Sequence, residues 1–409
     1  MRNRSHFNSF FEKLPIDDKS IDPNLLNIVN KCKTNPLPWN GQFSPQLVQV
    51  LLNYYSKNAD IIYDPFLGSG TTLLEAGGLN RQAYGTEINY AAVCLSKIYE
   101  LINYDLSYRK ALINEFESVL IKYGILYSGT LFSEDVNIVF QIEKLIGDYY
   151  NTKYKILLDC FIILIDLYKK DFSQKWLIAK WFKIKELVKS LPMSAQSVIV
   201  MHEDARYTPL SGSTVDFVIT SPPYINVFNY HQQYRSSSEY LNGSVLPAAQ
   251  AEIGSNRKNR GNRFFTVIQY CIDMALVFTE LNRICKKDSR IIFIVGRESS
   301  VKKTTFRNGE IIAEIACDCC GIKIVTKQER VYINRYGVNI YEDILHFISS
   351  KNDENPIQKA KKVAYRLLQS VQSSAPNESQ RDLLDAIENI DGIQPSPFYK
   401  NKGFARNKI

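Results

Sequence analysis

The stretch from Asp60 to Gly77 limits the possible folds of this 409-residue chain more than any other. Asp60-Ile61-Ile62-Tyr63 reads as a short apolar strand, Asp64-Pro65-Phe66-Leu67-Gly68-Ser69-Gly70 as a tight glycine turn, and Thr71 to Gly77 as the start of a helix. A second unit follows at once. Ala83-Tyr84-Gly85-Thr86 ends on Glu87, and Tyr90 to Leu101 returns to helical spacing with Ala92, Leu95 and Ile98 on one face. Strands that alternate with helices in this way need crossover connections, so the fold class is α/β with a parallel sheet.

The alternation lapses between Asn103 and about Ala195, where helical periodicity dominates and Lys and aromatic residues are frequent. This segment, 103–195, reads as a helical insertion. Strands resume at Val198-Ile199-Val200-Met201 before Asp204, and at Val215-Asp216-Phe217-Val218-Ile219 before Thr220-Ser221-Pro222-Pro223-Tyr224. Both are apolar runs of the kind buried on two faces. A polar stretch then leads to an amphipathic helix from Phe265 to Ile284 and a strand from Arg290 to Val295. Gly321 to Gln328 and Ile340 to Phe347 flank Asn334-Arg335-Tyr336-Gly337 and predict an antiparallel edge pair. The expected organisation is an N-terminal arm (1–35), a core formed by 36–102 and 196–350, the insertion, and a polar C-terminal extension (351–409). In the extension one helix is expected from Ile357 to Val371, with a structureless end.

Fifty Lys and Arg against forty-two Asp and Glu leave a net charge of +8, compatible with a polyanionic partner. The N-terminus carries no long apolar run, and the apolar segment Tyr154 to Tyr168 is broken by Asp159 and Asp166. Neither secretion nor membrane insertion is expected, which places the chain in the cytoplasm. The eight cysteines form no regular framework, and Cys317-Asp318-Cys319-Cys320 has no second ligand pair at a suitable spacing, so no metal is expected.

Within the first turn the glycines allow a sharp reversal and close approach of a ligand to the backbone. A triphosphate loop is disfavoured, because no Lys follows the second glycine. Glu87 lies twenty-three positions after Asp64, a spacing at which an acid at the sheet edge meets a ribose diol. An exposed carboxylate at a helix N-terminus is the alternative. Asp204 holds the equivalent place on the third strand, where it accepts from an adenine amine or simply caps a helix. In Ser221-Pro222-Pro223-Tyr224 two prolines remove two amide donors and stiffen the chain, leaving carbonyls to accept from an amino group beside an aromatic that can stack on a base.

Together these motifs resemble the DNA amino-methyltransferase family of bacterial modification enzymes, over about residues 36–102 and 197–349. The resemblance implies a Rossmann-like, seven-stranded, mostly parallel sheet with an antiparallel edge pair, and S-adenosylmethionine as cofactor. By the same resemblance Asp64, Phe66, Gly68 and Gly70 contact the cofactor, Glu87 its ribose and Asp204 its adenine. Phe43-Ser44-Pro45 matches an element that closes over the methionine end, although Ser44 and Pro45 also suit an ordinary helix start. Ser221, Pro222, Pro223 and Tyr224 would form the catalytic tetrapeptide. A serine at its head is typical of the cytosine-N4 branch, whereas Asp or Asn there marks adenine-N6 enzymes. The order here, cofactor loop first, departs from the permuted order common among serine-type members.

Duplex DNA is the partner so implied, with a restriction endonuclease acting at the same site as a second. Ser255 to Arg263 places Arg257, Lys258, Arg260 and Arg263 where they can follow phosphates, and Tyr230, His231, Gln232, Tyr234 and Arg235 suit a base held out of the stack. Lys175, Lys180, Lys183, Lys185 and Lys189, with Trp176 and Trp181, either face a groove or pack on the core. The rival readings are an adenine-N6 enzyme, an RNA methyltransferase and a non-catalytic nucleic-acid-binding protein.

Overall fold

The structure, a computed structural model, describes residues 9–42, 44–126, 138–168, 173–225, 230–241, 243, 245–255, 259–334, 337–350 and 354–400. Phe43, Arg257 and Lys258, and Arg335 and Tyr336 of the expected edge turn, lie outside them. One sheet contains β1 (Ile62–Asp64), β2 (Ala83–Thr86), β3 (Val198–Met201), β4 (Val215–Thr220) and β5 (Cys285–Gly296). A separate two-stranded hairpin consists of β6 (Glu298–Val301) and β7 (Thr304–Arg307), after which β8 (Lys323–Ile333) and β9 (Asn339–Ile348) return to the main sheet.

The main sheet has seven strands in the order β3-β2-β1-β4-β5-β9-β8. The first five are mutually parallel, and β9 pairs antiparallel with both β5 and β8. The order reverses between β1 and β4, so the crevice beyond their C-terminal ends is the expected ligand site of an open α/β sheet. This Rossmann-like sheet with its antiparallel edge pair agrees with the reading of the sequence.

Each face of the sheet buries its own apolar cluster. One includes Leu47, Leu51 and Leu52 of the helix Pro45–Tyr55, together with Ile292, Ile294 and Ile344 from the strands. The other gathers Phe293, Phe347 and the helix Phe264–Ile284. That helix is long and apolar enough to cross a membrane, but it is buried for most of its length and packs against the helix Pro356–Val371. Its apolarity is therefore that of a core helix.

Segment 103–195 is helical in its described parts, with Leu106–Lys122, Ile138–Tyr149, Lys155–Ile165 and Gln174–Ser190. Lys155–Ile165 buries all positions from Leu157 to Ile165 and packs on the helix Tyr90–Ser96, so the segment shares the core of the sheet domain. Trp181 is buried between Phe116 and Phe161, which removes it from any nucleic-acid groove. Trp176 Nε1 donates to the Ile165 carbonyl at 3.1 Å, and Lys180 lies 3.8 Å over its ring. Lys185 and Lys189 pair with Glu117 and Glu186. These contacts favour the packing role for this helix over the groove-facing one.

The C-terminal extension differs from the structureless end expected of it. Beyond Pro356–Val371, the helix Asn377–Glu388 buries Leu383 and Ala386, and the chain then stays ordered against the core through Lys400. The anchor is electrostatic. Arg206, pairing with Asp204 and Asp273 in a fully buried site, donates to the carbonyls of Ser396 and Pro397 at 2.9 Å. A polar composition concealed this, because the apolar stripe is narrow and the partner groups lie about 190 residues upstream. The hairpin and the helix Asn308–Glu314, which continues into a π turn at Ile315–Cys319, also went unrecognised in the sequence. Cys319 and Cys320 are buried there, and among the described residues no group of three or more His, Cys, Asp or Glu is placed to hold a metal.

Candidate functional site

The glycine turn is held by one carboxylate. Asp64 Oδ1 accepts from the Phe66 amide at 3.0 Å and from Thr220 Oγ1 at 2.6 Å, while Oδ2 accepts from Thr72 Oγ1 at 2.6 Å. The same side chain thus fixes the turn after β1, the helix after it, and the residue just before Ser221 on β4. Burial pushes its carboxyl up to about 6 against these three donors. Asp64 does not line the cleft described below, so it acts as the joint between the two motifs and not as the ligand contact expected from the resemblance.

Gly68 has φ +53° and Gly70 has φ +91°, the left-handed region that favours glycine. Their surroundings differ. A Cβ on Gly68 would meet only the Trp39 ring, at 3.3 Å, and Gly68 lines the cleft. On Gly70 it would sit 2.7 Å from the ring of buried Tyr99 and 2.9 Å from Ser96 Cβ. Gly70 is therefore required by packing beneath the turn, and not by ligand space.

The cleft, about 920 Å³ including the space open to solvent at its mouth, is a concave and largely apolar surface of the kind that binds small ligands. Its walls include Phe66, Gly68, Glu87, Asn89, Ser221 and Pro223. Glu87 accepts from the Gly68 amide at 2.9 Å through Oε2 and from the Asn89 amide at 2.7 Å through Oε1. Each oxygen retains lone-pair capacity toward a pair of hydroxyls. Burial dominates its titration and raises the carboxyl to about 7, with the nearby Asp64 and Glu252 adding to the rise.

Asp204 also borders the cleft, but its carboxylate is committed. Oδ1 accepts from the Arg206 amide and Nε at 3.0 and 2.9 Å, and Oδ2 from Arg206 Nη2 and the Tyr399 amide at 2.6 and 2.9 Å. Four donors on two oxygens leave no ready acceptor for an adenine amine, contrary to the sequence reading. The immediate cause is Arg206, two positions along, which only the fold places in bidentate reach.

In the tetrapeptide, Ser221 and Pro223 line the cleft, whereas Pro222 and Tyr224 do not. Tyr224 Oη lies 3.3 Å from Ser221 Oγ and accepts from the Gly296 amide at 3.0 Å, which fixes the ring at the end of β5. Its phenol is raised to about 12, mainly by burial. Ser44 occupies the cap position of Pro45–Tyr55 without a side-chain cap bond, and Ser44 and Pro45 border a neighbouring cleft. The preceding Trp39-Asn40-Gly41-Gln42 covers the cofactor cleft in their place, with Gln42 hydrogen-bonded to Ser69 Oγ.

Across the mouth a second segment meets this one. The Trp39 and Tyr230 rings lie 6.4 Å apart at 11°, and the Asn40 amide donates to Gln233 Oε1 at 3.2 Å. His231 Nδ1 lies 2.6 Å from Glu252 Oε2, and Glu252 Oε1 accepts from the Tyr230 amide at 2.8 Å. Trp39, Gln42, Asn89, Glu203 and Glu252 were missed in the sequence; only Trp39, as an aromatic just upstream of Phe43, gave any signal. Of the expected phosphate contacts, Arg260 is exposed and Arg263 half-buried at the start of Phe264–Ile284.

A DNA methylase family model for N6 and N4 amino-methyltransferases matches residues 7–97, which include the glycine turn and Glu87. Over this segment the chain is similar to the DNA amino-methyltransferase family. Its relatives include the type II methyltransferase M.MjaII of Methanocaldococcus jannaschii, 21% identical across 67% of this chain and 74% of that protein. Among solved structures, a SAM-dependent methyltransferase from Methanosarcina mazei is 10% identical with a TM-score of 0.34, covering 74% of this chain and 98% of that one. The rRNA methyltransferase AviRa of Streptomyces viridochromogenes is 12% identical with a TM-score of 0.33, over 84% and 96%. The fold assignment stands on the strand order itself. These similarities support an S-adenosylmethionine-dependent DNA methyltransferase.

Proposed function

We propose that the enzyme methylates the N4 amino group of a cytosine flipped out of duplex DNA, as the modification enzyme of a restriction-modification system with a cognate endonuclease. The observation that carries this reading is the joint made by Asp64, which sets Ser221 and Pro223 on the same cleft wall as Gly68 and Glu87. An electrophilic methyl group is what the bound cofactor supplies. Glu87 would hold its ribose, with Phe66 and Gly68 against the remainder and the Trp39–Gln42 segment closing over it.

An exocyclic amine is a weak nucleophile because its lone pair is delocalised into the ring. Acceptors at Ser221 and the Pro222 carbonyl would hold its protons and favour pyramidalisation, and Tyr224 would stack on the base; positioning supplies most of the rate. Ser221 at the head of the tetrapeptide favours cytosine. Mass spectrometry of nucleosides from DNA treated with enzyme and labelled cofactor is expected to show N4-methylcytosine. Pro222 substitutions should depress turnover, and Tyr224→Ala should weaken capture of the base by about 1–3 kcal/mol at near-normal cofactor affinity. N6-methyladenine as the sole product would overturn the cytosine assignment and leave the methyltransferase intact.

The Arg257, Lys258, Arg260 and Arg263 run, beside the cleft in sequence, would follow the DNA backbone. Replacing all four with Ala is expected to flatten the slope of log affinity against log salt by about three to four units, one per lost phosphate contact. An unchanged slope would return the run to a solvated surface.

A further inference from the structure

A second cleft, of about 1500 Å³ including the space open to solvent, adjoins the first and shares Gln42 with it. Its lining includes Ser44, Lys33, Arg330, Tyr332 and Glu342. Gly296, Glu342 and Arg330 stand side by side across β5, β9 and β8. Since Gly296 donates to Tyr224 Oη, the row containing Arg330 begins at the anchor of the tetrapeptide's aromatic. Tyr224, in contact with Ser221 of the first cleft, is thus held at Gly296, whose partner across the sheet, Glu342, lines the second.

The polar groups here are buried yet incompletely used. Arg330 Nη1 lies 3.3 Å from Glu342 Oε2, with the two side chains only 4% and 13% exposed. Arg330 Nε, Glu342 Oε2 and Ser44 Oγ have no hydrogen-bond partner among the described residues. A buried donor left unsatisfied forfeits its hydration without return, so a built-in pair of this kind points to a ligand that completes it. The guanidinium also lies 4.6 Å over the Tyr332 ring, which fixes its plane and leaves its edges to donate.

We propose that this second cleft receives the flipped base and that Arg330 reads it as cytosine, donating from its guanidinium edge to the adjacent O2 and N3 acceptors. Glu342 and Tyr332 are positioning residues that hold the guanidinium. The proposal rests on the amino-methyl transfer proposed above and adds the group that selects its substrate. Adenine offers only N1 beside a C2–H, so one guanidinium N–H would stay buried and unpaired against it. A site built to hydrogen-bond one substrate rejects the analogue that lacks the partner far more strongly than shape alone does.

The test uses the full chain, labelled S-adenosylmethionine and mixed-sequence DNA lacking methylation, with N4-methylcytosine and N6-methyladenine quantified together. Arg330→Met should cut kcat/KM for N4-methylcytosine by about 10–100-fold, the worth of a good bidentate base contact. Cofactor affinity should stay within about twofold and the ratio of N6-methyladenine to N4-methylcytosine should rise, a change that a merely structural lesion would not produce. Arg330→Lys keeps the charge opposite Glu342 but loses the planar fork, and should show the same pattern if Arg330→Met does not fold. Wild-type rate and product ratio in the variants would overturn the proposal while cytosine methylation stood. Parallel loss of cofactor binding would overturn it too, as would a wild-type enzyme that makes only N6-methyladenine, which also sinks the cytosine reading.

Discussion

Glu87→Ala is expected to weaken S-adenosylmethionine binding by at least about 100-fold, on the order of 2.7 kcal/mol by calorimetry. The substitution would remove the acceptor proposed for the ribose diol, and it strands the Gly68 and Asn89 amides that shape the turn. Hydrogen bonds to an ionised carboxylate are about twice as strong as neutral ones, so the charge matters as well as the shape. Burial holds the free carboxyl at about 7, and a diol favours its ionised form, so binding releases a proton. Affinity should therefore fall as pH drops below about 7, by up to about tenfold per unit, and should level off above it. In the unliganded protein the sign is opposite. The raised carboxyls of Glu87 and Asp64 contribute stability that is fully present below their unfolded values and is lost as pH rises through about 7 and about 6. A wild-type affinity for the Ala variant, or a flat pH profile for the native enzyme, would remove Glu87 from the cofactor site.

Gly70→Val is expected to destabilise the fold itself, by about 3–5 kcal/mol, before any ligand is added. At φ +91° a β-branched residue is a backbone outlier, and its Cβ would overlap Tyr99 and Ser96, both buried. Neither neighbour has room to yield, because Tyr99 is packed in the core beneath the turn. The thermal midpoint of the cofactor-free variant should fall by roughly 5–10 °C. Gly68→Ala should leave the midpoint much less changed, since its Cβ would press only on Trp39 at 3.3 Å. If Gly70→Val melted like the wild type yet lost the cofactor, the glycine would be serving ligand space after all.

The sequence by itself determined the parallel α/β core. Its strands are short apolar runs that end on glycine, acid or proline, so Ile62–Asp64, Ala83–Thr86, Val198–Met201 and Val215–Thr220 could be located from local pattern alone. The count of seven strands came with the family resemblance, whereas the order β3-β2-β1-β4-β5-β9-β8 was decided by the tertiary structure. Other features depend on partners far apart in the chain, which no local pattern encodes. Asp64 reads as a ligand contact until Thr220 arrives 156 residues later to claim it. Asp204 reads as an open acceptor until Arg206 and the Tyr399 amide fill it. Trp181 reads equally as a groove-facing or a core aromatic until the packing of the insertion buries it on Phe116 and Phe161. The tail reads as structureless because its composition is polar, yet Arg206, buried with Asp273, needs the Ser396 and Pro397 carbonyls and so holds the tail in place. Tertiary structure decided these roles because a buried charge takes whichever partners the fold brings within reach, and its chemistry then depends on how many of its hydrogen-bonding positions remain open.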